Sequence, residues 1–271
     1  YYTDSLHITK NGGGGGDIDL SSGLVAVTGT LSSTLGATIQ GLTVGRGAGA
    51  VADNTAVGSD ALRINSSGSS NTAVGYQAGY TNSTGSTLTA IGYQAGYYSN
   101  GANNTYVGYY AGILTGSGSN NTALGASALL SNSTTSNNVA VGASALQNTT
   151  ASNNTAVGYQ AGYSNTTGAD IVAVGYNAFR NGTASYATAI GFNAMGTGVV
   201  TGIQSVAVGR YTLNALTSGN NNVAVGDSAL SANNSGSNNV AIGRDALNAN
   251  TTASQNTAVG YQAGYNATGA S

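Results

Sequence analysis

Catalysis requires titratable or metal-binding side chains held close together, and this chain has few. Its carboxylates are eight aspartates (Asp4, Asp17, Asp19, Asp53, Asp60, Asp170, Asp227 and Asp245), with no glutamate, one histidine (His7) and no cysteine. Paired carboxylates are the machinery of glycoside hydrolysis. Asp227 and Asp245 are separated by a stretch of chain that a repeating fold could close. Arg210 and Arg244 flank the same face, so a surface charge ladder is the expected arrangement there. A lone His and no Cys provide no transition-metal ligand set, no triad and no disulfide framework. Gly12 to Gly16 form a run of five glycines, but no Gly-Lys-Ser or Gly-Lys-Thr follows, as a phosphate loop requires. A calcium-binding roll needs an Asp in each repeat, and most repeats here have none. The expectation is a protein with no catalytic residues, no cofactor and no metal.

Tyrosine is the one abundant side chain suited to recognition, with 17 in the chain. Their placement only makes sense against a repeat. A motif close to Asn-x-Ala-Val-Gly recurs thirteen times, its Gly at 58, 75, 92, 108, 125, 142, 158, 175, 191, 209, 226, 243 and 260. The step from one Gly to the next varies by no more than one position about its common value. Low-complexity drift does not hold a period over thirteen copies, so the repeat governs the fold.

Taking that Gly as position zero, the residue before it is always Val, Ile or Leu, from Val57 to Val259. Position −3 is Thr or Val, and position −2 is Ala in every copy but one, where Tyr106 stands. Position +3 is Ala in every copy but one, where Thr212 stands. Alternation of β-branched residues at −3 and −1 is a strand signal. Glycine at zero permits a bend or a close backbone approach; Gly75, Gly92, Gly125, Gly142, Gly158, Gly226, Gly243 and Gly260 are such structural turns. A second short extended piece is expected after the Gly, then a turn rich in Asn, Ser, Thr and Gly. One such unit cannot bury a core alone, but stacked units can. The fold class is therefore all-β: a parallel β-solenoid of about thirteen coils, a rod ~60 Å long at ~4.8 Å per coil. The coil is expected to enclose Val, Thr and Ala, with the small Ala at −2 letting neighbouring chains approach closely.

Stacking lines up the tyrosines. Tyr76, Tyr93, Tyr109, Tyr159, Tyr176 and Tyr261 share position +1 with Phe192, and Tyr80, Tyr97, Tyr163 and Tyr265 share +5. Two readings follow: a binding stripe, because exposed Tyr offers area and a polar handle, or a structural ladder that stiffens the roll or fills a seam between chains.

The remaining composition excludes other classes. Only 5% of residues are charged and the net charge is −2, which gives no basic footprint for nucleic acid. No apolar run is long enough to cross a bilayer, so no membrane insertion is expected. The chain opens on Tyr1 and reads as a fragment or processed product. Residues 1–46 lack the period and form an expected connector or shaft with a Gly-rich link, containing the strand-like pieces Ser5-Leu6-His7-Ile8-Thr9 and Leu24-Val25-Ala26-Val27-Thr28. A piece from Ala37 to Val44 leads into the repeat domain, residues 47–271, whose first coil the connector caps.

The string Asn154-Thr155-Ala156-Val157-Gly158-Tyr159-Gln160-Ala161-Gly162-Tyr163 resembles repeats of bacteriophage tail fibre and appendage proteins, and Gly41-Leu42-Thr43-Val44-Gly45-Arg46-Gly47 looks like the lead-in to such regions. Asn138-Val139-Ala140-Val141-Gly142 and Asn239-Val240-Ala241-Ile242-Gly243 are similar to the head repeat of trimeric autotransporter adhesins, although that repeat is shorter. The resemblance covers residues 42 to 271. It implies a left-handed β-roll assembled as a homotrimer in a virion tail fibre or appendage, or alternatively at a bacterial cell surface. It also implies two kinds of partner: other virion tail proteins at the N-terminal region, and a host surface glycan or protein receptor. A monomeric ice-binding solenoid is a third reading and needs a flat face of Thr. It is disfavoured by Val at −3 in Val139, Val172, Val206, Val223 and Val240 and by the inward position expected for that row. A depolymerase is the fourth.

Overall fold

The computed structural model describes residues 37–39, 42–49 and 51–266. His7, Asp4, Asp17, Asp19, the glycine run and the two strand-like pieces before residue 30 lie outside the described residues.

The strands are β1 (Ala37–Ile39), β2 (Leu42–Gly45) and then thirteen three-residue strands, one per repeat. These run β3 (Thr55–Val57), β4 (Thr72–Val74), β5 (Thr89–Ile91), β6 (Thr105–Val107), β7 (Thr122–Leu124), β8 (Val139–Val141), β9 (Thr155–Val157), β10 (Val172–Val174), β11 (Thr188–Ile190), β12 (Val206–Val208), β13 (Val223–Val225), β14 (Val240–Ile242) and β15 (Thr257–Val259). They form one sheet in sequence order. From β3 onward each strand pairs in parallel with the next, and the motif stays in register throughout: Ala56 meets Ala73, and Ala241 meets Ala258. The chain is a parallel β-solenoid, as its period implies. The shorter step from Thr89 to Thr105 and the longer one from Thr188 to Val206 keep the same register, so the turns absorb the length difference.

Each coil holds one strand, not the two expected. The Gln-Ala-Gly-Tyr and Ser-Ala-Leu pieces are turns, because positions +2 and +4 adopt left-handed backbone: Gln77 at φ 53°, Ser127 at 55°, Leu129 at 49° and Gly79 at 58°. Each such non-Gly residue costs roughly 1–2 kcal/mol. Hydrogen bonds to the coils on either side hold it there, from Leu62 N to Ala78 O of the next coil at 3.0 Å and from Gln77 N to Ser59 O of the preceding coil at 2.9 Å.

The faces of the strand are also the reverse of the expectation. Position −2, Ala in all coils but that of Tyr106, points inward and is buried, while Thr or Val at −3 and Val, Ile or Leu at −1 point out. Apolar character does not decide this; width does. A coil this short has a narrow lumen, in which Ala at −2 meets Ala at +3, as in Ala73 and Ala78, both fully buried. The bulk of the core comes from +4, where Leu62, Leu129, Leu146, Phe179, Met195, Leu213, Leu230 and Leu247 project into the coil. Where +4 is Gly, another column supplies the missing volume. A Cβ on Gly79 would lie 2.9 Å from Leu62 Cδ2 and 3.1 Å from Leu88 Cδ2. A Cβ on Gly162 would lie 2.8 Å from Leu146 Cδ2 and 3.5 Å from Ile171 Cδ1. The ring of Tyr106, in the Ala column, occupies the space over both Gly96 and Gly112.

A column of buried asparagines at −4 stitches the coils together from inside. Asn71 N donates to Asn54 Oδ1 at 2.8 Å, and Asn71 Nδ2 donates to Gly85 O at 2.9 Å. Asn121 N donates to Asn104 Oδ1 at 2.8 Å, and Asn154 N to Asn138 Oδ1 at 2.9 Å. Buried polar groups are paired in the large majority of cases, and these are. At the N-terminal end β2 runs antiparallel against β3, Val44 opposite Val57, and so covers the edge that a parallel stack would otherwise expose.

Two outcomes are expected. The glycine at zero takes φ 141° at Gly125, where a Cβ would lie 2.6 Å from the backbone of Gly142. Gly125→Ala should therefore destabilise by about 3 kcal/mol or more, combining backbone strain and overpacking, read as a fall in denaturation midpoint. Burial pushes the Tyr106 phenol up to about 12, with Thr115, Ser99 and Asn121 offsetting only part of the shift. The folded state thus resists ionisation. Its advantage is intact below the unfolded value near 10 and is lost as pH rises from about 10 to about 12, worth up to about 3 kcal/mol. Tyr106→Phe should flatten the alkaline limb of a stability–pH curve over that window.

Candidate recognition surfaces

Two surfaces stand out among the described residues: the outer face of the sheet and the tyrosine columns beside it. On the sheet face, the −1 column is an unbroken line of Val, Ile and Leu, exposed or half-buried throughout. Leu124 reaches 49% exposure and Ile242 41%. Beside it runs the −3 column, Thr in β3 to β7, β9, β11 and β15 and Val in the other parallel strands. This apolar stripe is the feature that reading the sequence missed. The signal was present: −1 varies among Val, Ile and Leu and −3 between Thr and Val, whereas −2 stays Ala in all but one copy. A column intolerant of size is the one that faces a narrow lumen. The same inversion removes the assigned role of Ala at −2, since a side chain inside the coil cannot let neighbouring chains approach.

Most of the predicted tyrosines come together, while Tyr163 lies under Arg180, its ring centroid 5.5 Å from the guanidinium carbon. Tyr76, Tyr93 and Tyr109 stack in sequence, with centroids 5.2 and 5.4 Å apart. Tyr159, Tyr176 and Phe192 form a second run at 5.3 and 5.2 Å. Tyr80 lies on Tyr97 at 4.8 Å with planes within 6°. The column is interrupted by Ala126 and Ala143, and Tyr261 stands apart under Arg244, whose guanidinium carbon is 5.7 Å from the ring centroid. Within each run ring faces stack on one another, and Tyr110 lies tilted against Tyr93 and Tyr109 with centroids 5.5 and 4.0 Å away. That geometry contributes packing energy. Gln94 Nε2 donates to Gln77 Oε1 at 2.6 Å alongside the first run, a parallel amide ladder.

The predicted turn glycines Gly75, Gly92, Gly125, Gly142, Gly158, Gly226, Gly243 and Gly260 all take positive φ between 124° and 141°.

Asp227 and Asp245 sit on successive coils, and Asp245 N donates to Asp227 O at 2.9 Å. Their carboxylates go elsewhere. Asp227 pairs with Arg210 at 2.8 Å and Asp245 with Arg244 at 3.3 Å. The Arg210 hydrogen bond holds the Asp227 carboxyl below its usual range, the opposite of what a general acid needs. This is the expected charge ladder, on an exposed surface where such pairs contribute little to stability. Among the described residues no three His, Cys, Asp or Glu side chains gather to hold a metal, and no helix is long and apolar enough to cross a membrane.

No protein-family model, no curated protein and no solved structure matches this chain. Tyr93→Ser removes two stacked pairs, each worth roughly 0.5–1.5 kcal/mol; the expected loss is about 1–3 kcal/mol in thermal or denaturant unfolding, with Tyr93→Phe close to wild type.

Proposed function

We propose that this chain is the repeat rod of a homotrimeric attachment fibre, in a phage tail or appendage, that meets a host surface glycan or protein receptor. The observation that carries this reading is the outward stripe of Val, Ile and Leu along thirteen rungs. The −1 column is apolar along its whole ~60 Å, and Val at −3 widens it at five rungs; at ~7 Å across, the strip is on the order of 400 Å². Monomers rarely leave a contiguous patch of that size uncovered. Three copies around one axis would cover it on every chain, and closed cyclic symmetry ends the assembly there. Residues 1–46 would then join the rod to other virion tail proteins, and the hydroxyl rims of Tyr76, Tyr93, Tyr109, Tyr159, Tyr176 and Tyr261 would face outward for the receptor. A bacterial trimeric adhesin head fits the same geometry and differs in where the protein is found. The reading involves no catalysis, supported by the pairing of Asp227 and Asp245 with arginines.

A second reading is favoured by a specific observation: the Thr side chains at −3 lie on the outer face, in register along the sheet. A regular Thr face is what an ice-binding solenoid needs, with Val at five rungs as the departure.

Sedimentation equilibrium separates the two. The fibre reading expects a mass near three times 26.4 kDa. Val157→Lys with Val174→Lys should lower it to that of one chain, with circular dichroism unchanged. A wild-type monomer that shows thermal hysteresis overturns the fibre reading in favour of ice binding.

A further inference from the structure

We propose that the tyrosine ladders are sites of oxidative cross-linking, at which a one-electron oxidant of the peroxidase class joins phenol rings of successive coils through a carbon–carbon bond. The inference is independent of the assembly proposed above. The solenoid repeats each ladder ring one coil further on with its plane turned by 20° or less, so equivalent ring carbons succeed one another along the ladder. Tyr80 and Tyr97 are the closest of these coil-to-coil pairs, with centroids 4.8 Å apart and planes within 6°. Tyr76, Tyr93 and Tyr109 follow at 5.2 and 5.4 Å. These three rings are 44%, 42% and 51% exposed, so an oxidant reaches them and their tips can tilt toward one another. Competing sinks are few: the chain has no Cys and no Trp, and its single Met, Met195, is fully buried.

The chemistry balances. Each phenol gives up one electron and its hydroxyl proton, leaving a phenoxyl radical. Two radicals combine at their ortho carbons, and each ortho hydrogen then shifts to its oxygen, restoring both aromatic phenols. One hydrogen peroxide takes up the two electrons and two protons and leaves as two waters. The product joins equivalent positions of successive repeats and closes a loop across one coil, which restricts the unfolded chain much as a disulfide does. Phe192 marks where coupling must stop: it stacks on Tyr176 at 5.2 Å and 9° but has no phenol to oxidise.

The test is treatment of the purified chain with peroxidase and hydrogen peroxide, followed by a denaturing gel, elastase digestion with mass spectrometry, and a thermal melt. The expected result is a species that still runs as one chain and melts at a higher temperature. Its peptides should join Tyr80 to Tyr97 and Tyr76 to Tyr93, each two hydrogens lighter than the sum of its parts. Tyr97→Phe should keep the melting temperature of the untreated protein, because Phe stacks as Phe192 does, and should lose the Tyr80 link alone. Coupling only between chains, or coupling at Tyr186 (59% exposed and outside the ladders) as readily as at Tyr80 and Tyr97, would overturn the proposal.

Discussion

Everything in this molecule follows from the requirement that one coil lie on the next at hydrogen-bonding distance around its whole circumference. Gly75 N reaches Val57 O at 2.8 Å, Gly92 N reaches Val74 O at 2.8 Å, and the pattern repeats to Gly260 N and Ile242 O at 2.7 Å. At that separation the backbone of one motif glycine leaves no room for a side chain on the glycine beneath it. A column is thus a stricter unit than a residue. Whatever occupies it must tolerate its own copy directly above and below, which explains Asn bonded to Asn, Tyr stacked on Tyr and Ala on Ala. Charges meet the rule by alternating: Arg210, Asp227 and Arg244 succeed one another in the column that carries tyrosine elsewhere.

The interior obeys a second rule, constant volume rather than constant identity. The Leu or Gly choice at +4 looks like drift when one column is read alone. Read across columns it is exchange: Gly79 is matched by Leu88, Gly162 by Ile171, and Gly96 with Gly112 by Tyr106. Interiors are packed to crystal density, so a vacancy in one column is filled from another within a coil or two. The buried Tyr106 is the extreme instance, an aromatic in an alanine column with a hydroxyl that has no close hydrogen-bond partner. Its ring fills the space left by two glycines at the cost of burying that polar group.

The period and the parallel stack were legible in the sequence, because the spacing of Gly58 through Gly260 fixes both. The tyrosine runs were legible for the same reason, once the coils were aligned. The side of the strand that faces in was not. Alternation says that −3 and −1 share a face and that −2 takes the other, but it assigns neither face to the lumen. Hydrophobicity points to Val, whereas the lumen favours Ala. The turn after the glycine was hidden too, since Ala-Leu and Gln-Ala-Gly give no local sign of left-handed backbone. Leu146 at φ 47° is held there by its neighbours and not by its own preference. The asparagine ladder was visible as composition, but its role depends on which side of the chain is interior.

The register has a mechanical corollary. Shorter, common and longer coils all align the same three strand positions, so progress along the rod is counted in rungs and not in amino acids. Any additional length bulges sideways and leaves the axial step unchanged. Length in such a molecule is quantised at ~4.8 Å. A tandem duplication or loss of one unit would move whatever the far end carries by one increment without retuning the rest, which makes the solenoid a ruler graduated by its own backbone.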